Sequence, residues 1–375
     1  MIAMFFRFIL VLVMISAVAF TAYLDRNRAG PISELEKCSL LLSRVDQPPA
    51  DILILGSSRV GVAIDPVAMA ELINSTAQYD DIRVECIAVP IAPLRTNVSL
   101  LEQYINVRGA AQIVVFEPSF LSKRSFDNLK YNLGESDPEQ YIFTRDINFM
   151  TYSQIWNMPG VAMPFSRGED LIMRLHLKLR GFVLRTGLLI YEFLHDPFRE
   201  WSLESCNTQS WRVGGMDWSS DFTFIYAHSR HTRNLEETHY QYKARFETVF
   251  KDMPLADWQN TPSEIAMKPS DLEFEADYRL GEVKYLHKAI SLVQDENSHV
   301  IVLPMMLYNQ TLSDKDRLYL EILQSNPYDI FAETDSLLAP FWYNEAHVKP
   351  RPAGEYATIL LSRHIVNADV LSDAR

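Results

Sequence analysis

The stretch DILILGSSR, Asp51–Arg59, carries the strongest structural signal in this chain. Residues 51–55 form an apolar run typical of a buried strand, and Gly56 interrupts that run at once. Ser57 and Ser58 follow at the carboxyl end of the strand, the edge where ligands gather in open α/β sheets. The stretch therefore predicts a strand of a parallel sheet, followed by a turn that suits a nucleophile or a bound anion.

The same alternation of strand and helix recurs along the chain. Further strands are predicted at 82–89, 112–116 and 299–303, and helices at 62–72, 94–107, 285–294 and 353–365. In the first helix, Asp65 and Pro66 supply an N-cap and a first-turn proline. This spacing indicates βαβ units, so we expect a three-layer α/β/α domain with a mainly parallel sheet of about five strands. The domain is expected to comprise 51–121 and 276–375.

Residues 122–275 interrupt the alternation and predict a mostly helical insertion or cap, because the segment is too long for a loop. Its most regular part, 170–201, carries apolar residues near helical spacing with basic residues between them. The apolar positions are Leu171, Leu175, Leu179, Val183, Leu184, Leu188, Tyr191 and Leu194. The pattern is typical of a helix packed in a core, and the alternative is an interfacial helix on an anionic bilayer.

The overall composition excludes some classes of protein. The chain has 375 residues and a formal net charge of −13, so it lacks the basic footprint of a nucleic-acid binder. Its three cysteines are too few for a disulfide framework. Cys86 lies in an apolar run and is expected in the core. A Cys38–Cys206 bridge in an oxidising compartment stays open at this point, because sequence cannot place the two residues together.

The N-terminus has the order of features found in export signals. Arg7 precedes an apolar run without charge, Phe8–Tyr23. A possible cleavage site, Ala17–Ala19, lies inside the run rather than after it. We therefore predict a retained signal-anchor over 1–24, a partly helical stalk over 25–50, and the rest of the chain outside the cytoplasm. A cleaved signal peptide and a buried N-terminal helix are the alternatives.

A second polar segment, FWYNEAHVKP at 341–350, pairs with the serine turn in the predicted topology. A serine hydroxyl is a poor nucleophile until an imidazole accepts its proton, and His347 is the candidate base for Ser58. Asn344, three residues earlier, suits the group that orients the imidazole. Both segments are predicted at the carboxyl edge of the sheet, so we expect Ser58 and His347 within hydrogen-bond reach.

These residues resemble the SGNH, or GDSL-type, hydrolase superfamily over about 51–120 and 280–365. The strand followed by Gly56-Ser57-Ser58 resembles exported, membrane-anchored members, such as alginate O-acetylation proteins and the D-alanyl transfer protein of teichoic acid. The segment Asn344–His347 corresponds to the family's Asp-x-x-His block. The resemblance implies Ser58 as nucleophile, His347 as base, Asn344 as the orienting residue, and donors to an oxyanion near Ser57.

Three positions depart from the pattern of the superfamily. The glycine of the second block corresponds to Ile91, the asparagine of the third block to Ser119, and the orienting aspartate to Asn344. An asparagine in the orienting position of a serine protease lowers the rate by about 10⁴. The resemblance therefore implies the fold more firmly than the activity, because sites and folds are separable.

Other polar residues are weaker candidates. Arg59 would bind a carboxylate or a sugar acid, or else form a salt bridge to the following helix. Glu117, at a strand end, would act as an acid or cap a neighbouring turn. The spacing of His228, His231 and His239 does not match a zinc motif, so neither a metal nor a cofactor is expected.

The leading hypothesis is an exported, membrane-anchored esterase or O-acyltransferase acting on a cell-envelope polysaccharide. A second hypothesis is a catalytically impaired glycan-binding or envelope-assembly protein on the same fold. A third is an anchored scaffold whose membrane partner performs the acyl transfer.

Overall fold

The computed structural model describes residues 11–17, 19–20, 34–76, 79, 81–89, 94–118, 147–157, 167–195, 235–248, 276–305, 327–330, 335–338, 341–344, 347–348 and 353–368. The strands are β1 (Ile52–Gly56), β2 (Val84–Ala88), β3 (Ile113–Phe116), β4 (His299–Val302), β5 (Trp342–Asn344) and β6 (His347–Val348). The helices are α1 (Glu34–Leu42), α2 (Ser58–Ala63), α3 (Pro66–Asn74), α4 (Leu94–Arg108), α5 (Tyr152–Asn157), α6 (Arg167–His195), α7 (Leu235–Thr248), α8 (Ala276–Asp295), α9 (Asp335–Leu338) and α10 (Glu355–Asn367), with a 3₁₀ turn at Ile147–Phe149.

A parallel sheet with strand order β2-β1-β3-β4 forms the centre of the molecule. The predicted α/β class and parallel sheet are confirmed. The sheet has four strands in the part of the chain that the structure describes, rather than about five. The strands β5 and β6 pair antiparallel with each other in a separate hairpin. The order of the strands puts a topological switch point between β1 and β3, where open α/β sheets form ligand crevices.

Helices cover both faces of this sheet, as the three-layer prediction requires. One face, which includes Ile54 and Val115, packs against α2, α3, α7 and α10. The other face, which includes Leu53 and Val114, packs against α1, α4 and α8. Every residue of β1 is buried, since a strand in the middle of a parallel sheet is covered on both sides.

Local capping explains where the first helices begin. The side chain of Asp65 accepts hydrogen bonds from the backbone N–H groups of Val67 and Ala68, and Pro66 occupies the first turn of α3. This cap divides the predicted helix 62–72 into α2 and α3. The predicted boundary residues Asp65 and Pro66 are therefore correct, although α2 begins earlier, directly at Ser58.

The second half of the predicted stalk packs onto the α/β domain. Ser39 Oγ donates to the carbonyl of Ala88 at 3.1 Å. The Arg108 guanidinium donates to the carbonyls of Leu42 and Pro48 and forms a salt bridge with Glu85. Residues 38–50 are thus part of the domain, because buried contacts with β2 and α4 hold them there.

The cysteines fall into two environments. Cys38 is disulfide-bonded, whereas Cys86 is a free, buried thiol in β2. Burial, with smaller contributions from Asp65 and Glu117, raises the pKa of Cys86 to about 12, so this thiol is inert at neutral pH. Cys206, whose bridge to Cys38 the sequence left open, lies outside the described residues.

The described parts of the predicted insertion are helical. The longest helix, α6, does not follow the core-packing interpretation along its whole apolar stripe, because Leu175, Leu179 and Val183 are exposed. Leu184 and Leu188 do pack, against the buried residues Ile147, Met150 and Ile155. Among the residues that the structure describes, no helix is both long enough and apolar enough to span a membrane. Most of the predicted anchor, 1–24, lies outside those residues.

Candidate functional site

The turn after β1 exposes one serine between two buried residues. Ser57 is the N-cap of α2, with extended backbone angles, and its Oγ accepts a hydrogen bond from the backbone N–H of Arg59. Ser57 and Arg59 are both buried, whereas Ser58, the first residue of α2, is half-buried. The local fold therefore directs Ser58, rather than Ser57, towards the carboxyl edge of the sheet.

Glu117 holds this turn from the neighbouring strand. It follows β3 directly and is fully buried. Its Oε2 accepts the backbone N–H of Ser57 at 2.5 Å, and its Oε1 accepts the Ser57 hydroxyl at 3.0 Å. The same Oε1 lies 3.0 Å from Nη2 of Arg59, whose Nη1 donates to the carbonyl of Met305 beyond β4. The carboxylate thus joins the end of β3 to the turn after β1 through both residues that flank Ser58, and Arg59 extends this link to the end of β4.

Gly56 makes room for that carboxylate. A Cβ at position 56 would lie 2.7 Å from Glu117 Oε2 and 2.8 Å from Val60 Cγ2. Both distances are shorter than the closest contacts that a real Cβ makes with non-bonded atoms in proteins. Neither neighbouring side chain is free to move in a close-packed interior. The glycine of the motif is therefore required by the close approach of Glu117.

The hairpin of β5 and β6 brings His347 to the serine. Val348 and Trp342 are buried in the same cluster as α2 and α10, which fixes the hairpin beside α2. Ser58 Oγ lies 2.9 Å from Nε2 of His347, across 289 positions of sequence. The predicted proximity of these two side chains is confirmed, and the distance is within the range that proton transfer needs.

The electrostatic environment keeps the imidazole neutral. Burial, followed by the charge of Arg59, lowers the pKa of His347 from 6.5 to about 4. At neutral pH the ring is unprotonated and, in the tautomer with a bare Nε2, accepts the Ser58 proton. The same low pKa makes His347 a weak base, because both influences destabilise the imidazolium that would form during an attack by Ser58.

The structure places the other predicted site residues as follows. Asn344 pairs with His347 across the hairpin, and its side chain lies outside the described part of the structure. Ile91 and Ser119 lie outside the described residues altogether. The backbone N–H of Ser57, a predicted oxyanion donor, is instead bound to Glu117. The buried carboxylate of Glu117 therefore already uses the N–H group that was predicted to stabilise an oxyanion.

Arg59 also has a different partner from the ligand considered for it. Its guanidinium is buried against Glu117 and Met305, so the salt-bridge alternative holds, although the partner follows β3 rather than belonging to the next helix. Glu117 itself acts as the cap of a neighbouring turn, which was one of its two predicted roles. Its position directly after a buried strand was the sequence signal for this.

Among the described residues there is no group of three histidine, cysteine or acidic side chains that would hold a metal ion. His228 and His231 lie outside those residues, and His239 stacks on Tyr356. The site as described consists of a serine hydroxyl, a neutral imidazole and a buried acidic support. Scans of the chain against models of known protein families, the curated proteins and the solved structures find no match.

Proposed function

We propose that this protein is an ester-chemistry enzyme with Ser58 as nucleophile and His347 as general base. The observation that carries the proposal is the 2.9 Å contact between Ser58 Oγ and His347 Nε2. These two side chains come from opposite ends of the chain and meet at the carboxyl edge of the sheet, beside its topological switch point. A half-buried serine held on both sides by buried residues is also preorganised for attack, which supports the same reading.

The proposed reaction proceeds through an acyl-enzyme. Ser58 Oγ attacks the carbonyl carbon of an ester while Nε2 of His347 takes the hydroxyl proton. The tetrahedral intermediate collapses, the C–O bond to the alcohol breaks, and the proton passes from His347 to the departing alkoxide. Water or a sugar hydroxyl then attacks the acyl carbon while His347 accepts its proton. The bond from the acyl carbon to Ser58 Oγ breaks, and the proton returns from His347 to Ser58.

The polysaccharide substrate and the envelope location follow from the resemblance to exported SGNH members. The disulfide at Cys38 supports a location outside the cytoplasm, because disulfides persist in oxidising compartments. The uncharged run at 8–23 supports a signal-anchor that keeps the protein at the membrane. An acyl-transfer partner in the same membrane fits this arrangement.

A second candidate function, binding or assembly without catalysis, has its own support. Both influences on His347 lower its pKa, and the sequence offers Asn344 where a carboxylate would stabilise the imidazolium. The Ser57 N–H is occupied by Glu117 and so is not free to stabilise an oxyanion. A site with these properties would bind an acylated sugar through Ser58 and His347 without reacting with it.

Labelling with a fluorophosphonate probe distinguishes the two candidates. We expect the folded protein to react at Ser58, with the modified residue identified by peptide mass analysis. Ser58→Ala and His347→Gln should each reduce labelling and esterase turnover about 10³-fold or more, because serine and base act as a unit. The control is Ser75→Ala, a serine at the end of α3 whose hydroxyl contacts only the carbonyl of Leu72 among its described partners, and which should retain full labelling. Absence of labelling in the folded parent protein would overturn the enzyme proposal in favour of binding.

A further inference from the structure

Helix α6 presents an apolar face to solvent over most of its length. All of its exposed positions whose side chains the structure describes are apolar, glycine or tyrosine. Val183 and Leu194 are the most exposed, at 72% and 71%. The set comprises Leu175, Leu179, Val183, Gly187, Ile190, Tyr191 and Leu194. These positions recur at helical spacing and form a stripe about 28 Å long.

The packed side of α6 combines apolar contacts, through Leu184, Leu188 and the fully buried Leu189, with two buried charged residues. Arg185 is fully buried, and its guanidinium donates to the carbonyls of Ile147 and Asn148 at 3.3 and 3.0 Å. Glu192 is buried as well. A surface helix in water normally has one apolar side, on the core, and keeps its charges in solvent. In α6 the exposed side is apolar too and two charged residues are buried, which indicates that the outward side faces an apolar medium.

The N-terminal apolar run adjoins this stripe. The ring of Phe20 contacts the ring of Phe193 of α6 edge to face, with centroids 5.3 Å apart. Residues 11–15 of the same run are helical and more than half exposed, although they are valine, leucine, methionine and isoleucine. Two apolar surfaces on different parts of the chain therefore meet at Phe20, and together they exceed the scattered exposed side chains of an ordinary monomer.

Amphipathic residues border the stripe near the first half of α6. The ammonium group of Lys178 lies 5.2 Å from the ring centre of Trp156, which is 51% exposed. Lys178 and Arg180 are both partly exposed. Tryptophan and basic residues with long aliphatic stems are the side chains that sit at the boundary between lipid headgroups and acyl chains.

We propose that α6 lies along the surface of a lipid bilayer, with the stripe Leu175–Leu194 in the headgroup and acyl boundary and Phe20 marking where the N-terminal run joins it. The lipid surface is favoured over a second copy of the chain because the stripe is continuous with the apolar run and bordered by Lys178 and Arg180. These cations suit anionic headgroups. The proposal does not rest on the proposed esterase activity, since α6 is remote in sequence from Ser58 and His347 and shares no described hydrogen bond with them.

The test measures the environment of single nitroxide labels on the full-length chain. Val183→Cys places a label in the stripe, and Val67→Cys is the matched control, an exposed valine on α3 in the layer that covers the other face of the sheet. The parent chain, in which Cys38 is bonded and Cys86 buried, gives the background of labelling. The proteins are reconstituted into phosphatidylcholine vesicles with and without phosphatidylglycerol. Collisions of each label with oxygen and with a water-soluble nickel chelate are then compared.

At position 183 we expect severalfold less collision with the nickel chelate and more with oxygen than at position 67, with a larger effect in vesicles that contain phosphatidylglycerol. Equal access of the chelate to both labels would overturn the proposal. Protection of position 183 in detergent without vesicles, accompanied by dipolar broadening between labels, would overturn it in favour of a contact between two copies. Since labels and vesicles report no catalysis, none of these outcomes depends on the function of Ser58.

Discussion

The two halves of the candidate site are held in different ways. The turn that carries Ser58 is tied to a buried carboxylate by the Ser57 backbone, the Ser57 hydroxyl and the Arg59 guanidinium. The hairpin that carries His347 has only a two-residue strand, β6, paired with β5, and packs through Trp342 and Val348. The turn that carries Ser58 is therefore positioned by polar contacts between strand ends, and the hairpin that carries His347 packs through apolar residues.

This difference has an electrostatic consequence. The charge of Glu117 is used to neutralise Arg59, and the influences that shift the pKa of His347 are burial and Arg59, both of which lower it. Arg59 therefore takes part in both: it helps to hold the turn, and its charge makes His347 less basic. Substitutions in the turn should change mainly the free energy of unfolding. Substitutions in the hairpin should change mainly the pKa of His347 and the rate of turnover.

The largest effect is expected for Glu117→Ala. It would leave the buried guanidinium of Arg59 and the Ser57 N–H without their common partner, and breaking a buried pair in this way costs about 3–5 kcal/mol of unfolding free energy. Urea unfolding followed by circular dichroism measures the loss. Glu236→Ala is the matched control, because Glu236 pairs with Arg363 at the surface, where an ion pair contributes less than about 1 kcal/mol. Equal losses in the two variants would contradict the anchoring role of Glu117.

A smaller effect is expected for Gly56→Ala. The added methyl would meet Glu117 Oε2 at 2.7 Å and Val60 Cγ2 at 2.8 Å, and overpacking of this kind costs about 1–3 kcal/mol. Gly187→Ala in α6 is the control, because no atom lies within 4 Å of the added methyl and alanine favours a helix over glycine by up to about 1 kcal/mol. The two substitutions should therefore shift the urea midpoint in opposite directions. A shift in the same direction would mean that the turn relaxes around the methyl.

The local capping and the general topology could be predicted from the sequence, whereas one specific contact between neighbouring strands could not. Asp65 and Pro66 act within one turn, so their capping role is visible in the local pattern, and it is found in the structure. The meeting of Ser58 and His347 was also predictable, because parallel strands bring their carboxyl ends to one edge. The partner of Arg59 was not, since Glu117 is near it only through the pairing of β1 with β3.

Helix α6 shows a second limit of the sequence pattern. The spacing of Leu175, Leu179 and Val183 predicts a continuous apolar stripe, and the structure has one. The periodicity of the apolar residues predicts the stripe but does not show whether it faces the core, solvent or lipid. A leucine stripe on a helix usually faces a core. The burial of Arg185 beside the packed leucines could not be read from the spacing, because it depends on the distant carbonyls of Ile147 and Asn148.

A kinetic prediction concerns the pH dependence of turnover. The proposed mechanism requires neutral His347, whose pKa is lowered to about 4 from the 6.5 of an unperturbed histidine. Turnover should therefore stay level as the pH falls through 6.5, and decline only below about 4, by about tenfold for each further pH unit. The profile of kcat/KM for a simple phenyl ester measures this, with the near-ultraviolet dichroism recorded at each pH to show that the protein remains folded. An acidic limb near 6.5 would mean that burial and Arg59 do not act on His347 in solution.

Asn344→Asp sharpens this result. The backbone of Asn344 pairs with that of His347 across the hairpin, and opposite residues of an antiparallel pair have Cβ atoms about 4.5–5.5 Å apart. A carboxylate there favours the imidazolium, so the acidic limb should move from about 4 towards neutral pH, and turnover at pH 7 should rise by about tenfold or more. Asn297→Asp is the control, because it adds the same charge at an exposed turn. This turn lies at the opposite, amino-terminal edge of the sheet. If the acidic limb of the pH profile moves equally in both variants, the shift is caused by the net charge of the protein alone. A limb that moves only in Asn344→Asp, without a gain in turnover, would mean that the site accepts a proton from Ser58 but lacks the donors that an oxyanion needs.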